Sequence, residues 1–201
     1  MARLVAFGCS FTYGAALSDT YEFRPGPSLF AWPNITAKNL NLECVNKGIP
    51  GAGNKEILHT IQNFDFNSND TVVILWTYPN RWCTIKEDTV ENFIHHRKDN
   101  FNQFYFQFMY NEYDLNLDMF TRINFAKMYL DLKGVKNYHF VVNSNMLKNK
   151  PAWSITKFED LYSDDYRFKY PLGLDDAHPG EEAHKNFGED IAKKINSFIS
   201  C

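Results

Sequence analysis

The sequence predicts an α/β domain in which helices cover both faces of a mostly parallel β-sheet. Short apolar segments alternate with amphipathic ones along the chain, a pattern typical of strand–helix–strand units. The segment "TVVILWT" at 71–77 is the clearest strand, because it is apolar and β-branched, as expected when both faces are covered. Loops containing glycine or polar residues follow three of the predicted strands. Such loops gather at one edge of a parallel sheet, where α/β proteins bind ligands.

Each element has its own local signal. The segments "RLVAFG" and "ECVNKG" are short and end in a glycine, as strands that lead into tight turns do. The helical segments carry apolar residues every three or four positions, and Pro33 and Pro179 fit first turns, where a missing N–H removes no helical hydrogen bond. Strands are therefore predicted at 3–8, 43–48, 71–77 and 138–144, and helices at 28–42, 55–64, 119–133 and after Pro179.

One long segment, at about 82–118, breaks this alternation. Five of its aromatic residues recur at helical spacing: Phe101, Phe104, Tyr105, Phe108 and Tyr110. Most aromatic stripes of this kind are core or interface, and core is the default interpretation here. Because the segment follows the third strand, it could instead overhang the ligand-binding edge as a lid, or join two copies in a homo-oligomer. We predict a single domain over residues 1–201 with this segment as an insertion.

Composition narrows the class of protein. A net charge of −3 and a pI near 6.1 argue against binding to a nucleic-acid backbone. No apolar run approaches the length of a membrane span. The four cysteines form no CxxC pair, which favours free thiols in a reducing compartment over a zinc site. The strand-like start "MARLVAFGCS" lacks a cleavage pattern, so we predict a cytoplasmic protein.

The first strand ends on "GCSF", which places the hydroxyl of Ser10 at the predicted ligand-binding edge. A serine in this position is by itself most often a turn residue that caps the following helix. A nucleophilic serine needs a base, and the base needs an acid that orients it. The segment "DDAHPG" offers both, because Asp175 and His178 are three residues apart on one predicted loop, although Asp176 is a rival for the acid. We interpret Ser10, His178 and Asp175 as a catalytic triad.

An oxyanion intermediate also needs hydrogen-bond donors that are already in place. The backbone N–H groups of Ser10 and of Gly51, in "GIPGAGN", and the amide of Asn80, in "TYPN", are the predicted donors. Thr77 is the alternative to Asn80. Four further residues on these loops are predicted to contact substrate: Tyr13, Asn54, Tyr78 and Arg81.

Two of these four residues also have simpler explanations. Arg81 could meet a substrate carboxylate, but an internal ion pair or a solvated position is the commoner fate of such an arginine. Asn54 could steady the loop that carries Gly51 or cap the next helix, and the cap is the preferred interpretation.

Taken in order, the segments "FGCSFTYG", "NKGIPGAGN", "WTYPNRW" and "DDAHPG" resemble the motifs of the SGNH (GDSL-like) hydrolase family. The resemblance runs from residue 7 to residue 180 and is most specific in "DDAHPG". It implies a flavodoxin-like three-layer α/β/α fold and ester hydrolysis through an acyl-serine, without a metal or other cofactor. By position, Ser10 resembles the nucleophile, His178 the base, Asp175 its partner and Gly51 the oxyanion glycine.

The sequence departs from the family pattern in two places. The Gly-Asp-Ser-Leu string reads Gly-Cys-Ser-Phe, which keeps the glycine and the serine. The third motif, Gly-x-Asn-Asp in the family, reads "WTYPN", so Asn80 comes later than a simple alignment would place it. Adjacent strand residues point to opposite faces, so Cys9 is expected to be a buried structural cysteine rather than the nucleophile.

The predicted function is hydrolysis of a small-molecule or carbohydrate ester, most plausibly a short-chain or carbohydrate O-acetyl ester. Lipid or thioester hydrolysis is the nearer alternative. A non-catalytic module that binds a glycan or a protein in the same cleft is the alternative from another class. No metal site is predicted in "HPGEEAH", because His178 and His184 are six apart and would not share a helix face.

Overall fold

A parallel β-sheet lies at the centre of the computed structural model, which describes residues 2–21, 25–86, 89–93, 99–156 and 169–199. Its four strands are β1 (Arg3–Gly8), β2 (Glu43–Gly48), β3 (Thr71–Trp76) and β6 (Lys136–Val141), in the order β2-β1-β3-β6. A separate antiparallel hairpin consists of β4 (Trp82–Lys86) and β5 (Thr89–Phe93). The order of the parallel strands is that of a flavodoxin-like sheet, so the predicted fold class is confirmed.

Burial explains why the inner strands are apolar throughout. Residues 4–7 of β1 and 72–76 of β3 are all buried, because each of these strands has a neighbour on both sides and helices on both faces. Strand β2 lies at the edge and is only partly buried, which permits its polar Asn46 and Lys47.

The helices form two layers around this sheet. They are α1 (Ser10–Tyr13), α2 (Ser18–Tyr21), α3 (Trp32–Asn39), α4 (Asn54–Gln62), α5 (Asn100–Phe104), α6 (Glu112–Leu132) and α7 (Glu181–Ile199), with a π-helical turn at Tyr105–Met109 and a 3₁₀ turn at Ser144–Asn149. Helix α3 packs against α7, and α4 packs against α6. The α3–α7 contact is close: the hydroxyl of Thr36 donates to the carbonyl of Gly188 at 2.9 Å, and a side chain at Gly188 would meet the carbonyl oxygen of Trp32.

The aromatic segment differs from its default interpretation. It begins with the β4–β5 hairpin rather than a helix, and α6 starts at Glu112, seven residues before the predicted 119. The side chain of Asn111 caps α6 by accepting from the N–H of Asp114, a signal that the apolar periodicity could not reveal. Of the five aromatic residues singled out, Tyr105 is buried, whereas the other four are exposed: Phe101, Phe104, Phe108 and Tyr110. A core role is therefore wrong for those four.

None of the helices in the described ranges is both long enough and apolar enough to cross a bilayer.

A buried histidine joins β3 to β6. The indole N–H of Trp76 donates to His139 Nδ1 at 3.1 Å, so the ring proton lies on Nε2 and points to Asn137 Oδ1, also 3.1 Å away. Burial, with a further contribution from the charge of Lys127, lowers the pKa of His139 to about 3. The ring is therefore neutral at physiological pH and acts as a fixed link within the sheet.

A second buried histidine ties α7 to the start of α3. The backbone N–H of Trp32 donates to His184 Nδ1 at 3.2 Å. Burial and the nearby His178 lower the pKa of His184 to about 3. His184 therefore stabilises the packing of α7 against α3.

We predict that acid destabilises the protein through these two histidines. A histidine has a pKa near 6.5 when unfolded, so below that pH the unfolded chain binds protons that the folded chain does not. The free energy of unfolding should fall as the pH drops from about 6.5 towards 3, by about 1.4 kcal/mol per pH unit for each buried histidine. Urea unfolding of the wild type and of His139→Gln between pH 7.5 and 5.0 measures this slope. The slope for His139→Gln should be smaller than that of the wild type by the contribution of one histidine. Equal slopes in the two proteins would contradict the assignment.

Candidate active site

The loops after β1, β2 and β3 meet at the carboxyl edge of the sheet, as predicted. The N–H of Ile49 donates to the carbonyl of Gly8 at 3.0 Å, which joins the first loop to the second. The side chain of Asn46 donates to the carbonyl of Thr12 at 2.7 Å and fixes α1 on the end of β2. A Cβ at Gly48 would lie 2.3 Å from the backbone nitrogen of Tyr13, so only glycine permits this contact.

Ser10 is the first residue of α1, directly after β1. The preceding Cys9 has an extended backbone and its side chain is buried in the core, as expected for a structural cysteine. Ser10 itself is 4% exposed, so its hydroxyl lies in a sheltered position at the edge of the sheet. A Cβ at Gly8 would overlap the Thr12 hydroxyl, which shows how tightly α1 turns back over the strand that precedes it.

Asp175 and His178 form a hydrogen-bonded pair. His178 Nδ1 lies 2.5 Å from Asp175 Oδ2. The other carboxylate oxygen accepts from the backbone N–H groups of Ala177, at 3.0 Å, and of His178, at 2.9 Å. The three-residue spacing therefore closes a compact turn in which one carboxylate binds both the backbone and the ring of the same histidine.

The charge of Asp175 sets the histidine tautomer. Partial burial acts to raise the pKa of this carboxyl, but the N–H donors of His178 and Ala177 outweigh it, so the pKa lies below its usual value. An ionised carboxylate only accepts hydrogen bonds, so Nδ1 of His178 must carry the proton. In the neutral ring, Nε2 is then left as the basic nitrogen.

The loop that carries this pair is pinned beside α1. The N–H of Leu174 donates to the carbonyl of Ala16 at 2.9 Å, and a Cβ at Gly173 would lie 2.8 Å from the same oxygen. The rings of Phe11 and His178 meet edge to face, with centroids 5.8 Å apart. Because Phe11 follows Ser10 in α1, His178 lies next to the helix that begins at Ser10.

The second loop has the backbone of a type II turn. The N–H of Ala52 donates to the carbonyl of Ile49 at 3.1 Å, with Pro50 and Gly51 between them. Gly51 has φ of +81°, which a side chain would strain, whereas Pro50 suits the preceding position. The sequence "IPGA" thus fixes the direction in which this backbone faces.

The third loop is held by Asn54. Its side-chain amide donates to the carbonyl of Thr77, and its oxygen accepts from the N–H of Thr77, both at 2.9 Å. The preferred cap interpretation of Asn54 is wrong: the residue at the cap is Gly53, and the Asn54 side chain is buried against Thr77. Asn54 therefore steadies the third loop rather than the start of its own helix.

The other predicted contact residues lie around these loops. Asn80 and Arg81 are in a turn closed by the N–H of Arg81, which donates to the carbonyl of Tyr78 at 3.2 Å. The guanidinium of Arg81 lies over the ring of Tyr78, 5.8 Å from its centroid, and its buried Nη1 has no hydrogen-bond partner among the residues that the structure describes. Tyr13 ends α1, and its carbonyl accepts from the N–H of Ser28 at 2.9 Å.

Three contacts of this edge were not found by sequence reasoning. Asn46 holds α1, Ala16 anchors the loop of the Asp–His pair, and Phe11 packs on the His178 ring. A polar residue two positions before a strand-ending glycine was the available signal for Asn46. The contacts of Ala16 and Phe11 depend on residues over 150 positions away, and no local pattern encodes them.

No protein-family sequence model matches the chain, and no curated protein matches it at a significant level. Solved structures do match over nearly its whole length. A lipase/acylhydrolase from Enterococcus faecalis has a TM-score of 0.54 at 15% identity, covering 98% of this chain and 96% of that one. A member of the lipolytic G-D-S-L family from Veillonella parvula has a TM-score of 0.51 at 13% identity, covering 96% and 97%. The chain has the SGNH hydrolase fold.

A longer protein shares this SGNH fold as well. An acetyl xylan esterase from the rumen bacterium Butyrivibrio proteoclasticus has a TM-score of 0.59 at 12% identity, and the match covers 99% of this chain but 64% of that one. At such identities the likeness establishes the SGNH architecture. The roles of individual residues depend on the geometry described above.

We predict that Asn54→Ala destabilises the protein by leaving the N–H and carbonyl of Thr77 buried without partners. The expected loss in the free energy of unfolding is about 1–3 kcal/mol. Asn39→Ala is the matched control. The side chain of Asn39 is exposed and donates a hydrogen bond to the carbonyl of Ile35, one turn earlier in the same helix. Urea unfolding should show a change within about 0.5 kcal/mol for this control. A similar small change in Asn54→Ala would show that the third loop does not depend on this amide.

Proposed function

We propose that this chain is a serine hydrolase that cleaves ester bonds through an acyl-serine intermediate. The observation that carries the proposal is the Asp175–His178 pair, joined at 2.5 Å and packed against the helix that begins at Ser10. Serine hydrolases activate their nucleophile with an imidazole that a carboxylate holds in place, and here such a pair packs against the helix whose first residue is Ser10.

In the first half of the reaction, Nε2 of His178 takes the hydroxyl proton as Ser10 Oγ attacks the ester carbonyl. Asp175 stabilises the imidazolium that forms, because its Oδ2 accepts from Nδ1. The tetrahedral intermediate then collapses, the carbon–oxygen bond to the alcohol breaks, and His178 returns the proton to the leaving alcohol.

In the second half, water attacks the acyl-serine while His178 again accepts a proton. The products are a carboxylic acid and the regenerated Ser10. In both halves the N–H groups of Ser10 and Gly51 stabilise the oxyanion, with the Asn80 amide as the third donor. The fixed turn at Gly51 supports this role, since a donor that need not reorganise stabilises the transition state most.

Short-chain acyl esters, and O-acetyl groups on carbohydrate in particular, are the proposed substrates. The names of the structural neighbours support an ester, since they include a lipase/acylhydrolase and an acetyl xylan esterase. The sheltered position of Ser10 favours a small acyl group over a long chain.

Loss of the Ser10 hydroxyl should abolish the proposed reaction. The wild type should release nitrophenol from p-nitrophenyl acetate, and Ser10→Ala should reduce the rate to the uncatalysed background. A fluorophosphonate probe should label the wild type on Ser10 and leave Ser10→Ala unlabelled. Absence of both turnover and labelling in a folded wild type would refute the serine mechanism and leave a binding module on the same fold.

The two adjacent carboxylates, Asp175 and Asp176, should differ in their effect on kcat. Asp175→Asn should lower kcat by about 10²-fold or more, because an amide no longer fixes the protonated Nδ1 of His178. Asp176→Asn is a matched control: Asp176 is exposed, and its left-handed φ of +54° is one that asparagine accepts readily. It should keep kcat within a few-fold of wild type. Equal losses in the two variants would argue that the loop fold, and not the Asp175 carboxylate, sustains activity.

A further inference from the structure

The segment between β3 and α6 forms a groove with a volume of about 590 Å³, here called the aromatic groove. Strand β4, α5, the π-helical turn and α6 all contribute residues to its lining. The lining includes four aromatic residues and two aspartates, together with aliphatic side chains: Trp82, Phe101, Phe104, Tyr105, Asp114, Asp118, Met109, Leu115 and Leu117. This size is typical of a small-molecule site and too large for a packing defect.

The aromatic residues of the groove include a stacked pair and two exposed rings. Trp82 and Tyr105 stack in parallel, with centroids 5.0 Å apart and planes 10° apart. At the rim, Phe101 is 62% exposed and Phe104 is 53% exposed. Aromatic surface left in water at a concave site marks a place where a ligand or partner binds.

Helix α6 contributes hydrogen-bond acceptors to the lining of the groove. Asp114 and Asp118 are four residues apart and so lie on one face of α6. Asp118 is held by a two-point ion pair with Arg122, at 2.6 and 2.7 Å, which offsets its charge but leaves lone pairs that can accept further bonds. Burial, with a contribution from Asp118, raises the pKa of Tyr105 to about 12, so its phenol keeps its proton.

The groove begins where the candidate active site ends. Trp82 directly follows Arg81, and the Cβ position at Gly53 lies 2.4 Å from the carbonyl oxygen of Arg81 and 3.7 Å from the carbonyl carbon of Trp82. Gly53 in turn lies two residues after Gly51. The backbone that leads into the groove at Trp82 therefore contacts the loop that carries Gly51.

We propose that the aromatic groove binds an uncharged sugar unit, the carbohydrate part of the ester substrate; this inference rests on the proposed hydrolase function. A pyranose ring has apolar C–H faces that pack on aromatic rings and hydroxyls at its edge that donate to carboxylates, which matches the rings and carboxylates in the lining of the groove. A fatty acyl chain would pack on Met109, Leu115 and Leu117, but it would also bury Asp114 and Asp118 against hydrocarbon, which is unfavourable. A phosphate-rich polymer would be repelled by the same carboxylates.

The test compares two substrates in groove variants. Phe104→Ala removes an exposed ring and Asp114→Asn removes a charge, and neither residue belongs to the proposed catalytic machinery. Both variants should raise KM for an acetylated xylo-oligosaccharide by about tenfold, the equivalent of one lost contact, with kcat little changed. Both should hydrolyse p-nitrophenyl acetate at the wild-type rate, because that ester carries no sugar unit for the groove to bind.

Phe125→Ala is the matched control, since Phe125 is also an exposed phenylalanine but lies on α6 outside the groove. It should leave both activities unchanged. Equal KM for the acetylated oligosaccharide in wild type, Phe104→Ala and Asp114→Asn would overturn the inference even if Ser10-dependent hydrolysis is intact.

A binding measurement keeps the groove and the chemistry distinguishable. Calorimetric titration of Ser10→Ala with xylotriose, cellotriose and chitotriose should detect binding of at least one trisaccharide, and Phe104→Ala should weaken it. Sugar binding without any ester hydrolysis would refute the proposed function but support the groove as a carbohydrate site. No binding of any of the three, together with a dimer in light scattering that Phe104→Ala dissociates, would assign the exposed rings to a contact between two copies and overturn the inference.

Discussion

The architecture of the candidate site depends on one constraint, the close approach of α1 to the ends of the two strands beneath it. Two glycines permit this approach: a Cβ at Gly8 would overlap the Thr12 side chain, and one at Gly48 would overlap the backbone of Tyr13. A larger residue at either position would push α1 away from the sheet. Ser10 is the first residue of that helix. Its position at the edge of the sheet therefore depends on having glycine, which lacks a Cβ, at positions 8 and 48.

The second requirement is that distant parts of the chain meet. Ser10 and His178 are separated by most of the sequence, and three independent links bring their neighbourhoods together: the Leu174–Ala16 hydrogen bond, the Phe11–His178 ring contact, and the packing of α7 on α3. The last includes the buried bond from the Trp32 N–H to His184. The histidine loop is therefore positioned by helix packing behind it as well as by contacts at the edge. Substitutions in the α3–α7 interface, far from the edge of the sheet, therefore also affect the position of the loop that carries His178.

The sequence was most informative where one local rule decides the structure. Uninterrupted apolar strands predicted β1 and β3, and the spacing of Asp175 and His178 predicted a bond that forms at 2.5 Å. It was least informative where a polar side chain had several possible partners: Asn54 bonds to Thr77, 23 positions away, instead of capping its helix. The prediction of a core role for the aromatic segment was wrong for a related reason. Helical spacing is equally compatible with a buried stripe and with an exposed one such as Phe101 and Phe104.

Among the described residues, β4 and β5 form a sheet of their own, while β3 pairs with β6 along its whole length, from Thr71 with Lys136 to Trp76 with Val141. The intervening chain at 77–111 is thus an excursion whose length the sheet does not constrain. Loop closure becomes only about 0.6 kcal/mol less favourable with each doubling of loop length. Evolution can therefore extend, trim or replace this excursion without rebuilding the fold, and protein engineers can graft a different one. Such a change leaves in place the loops after β1 and β2, on which Ser10 and Gly51 lie.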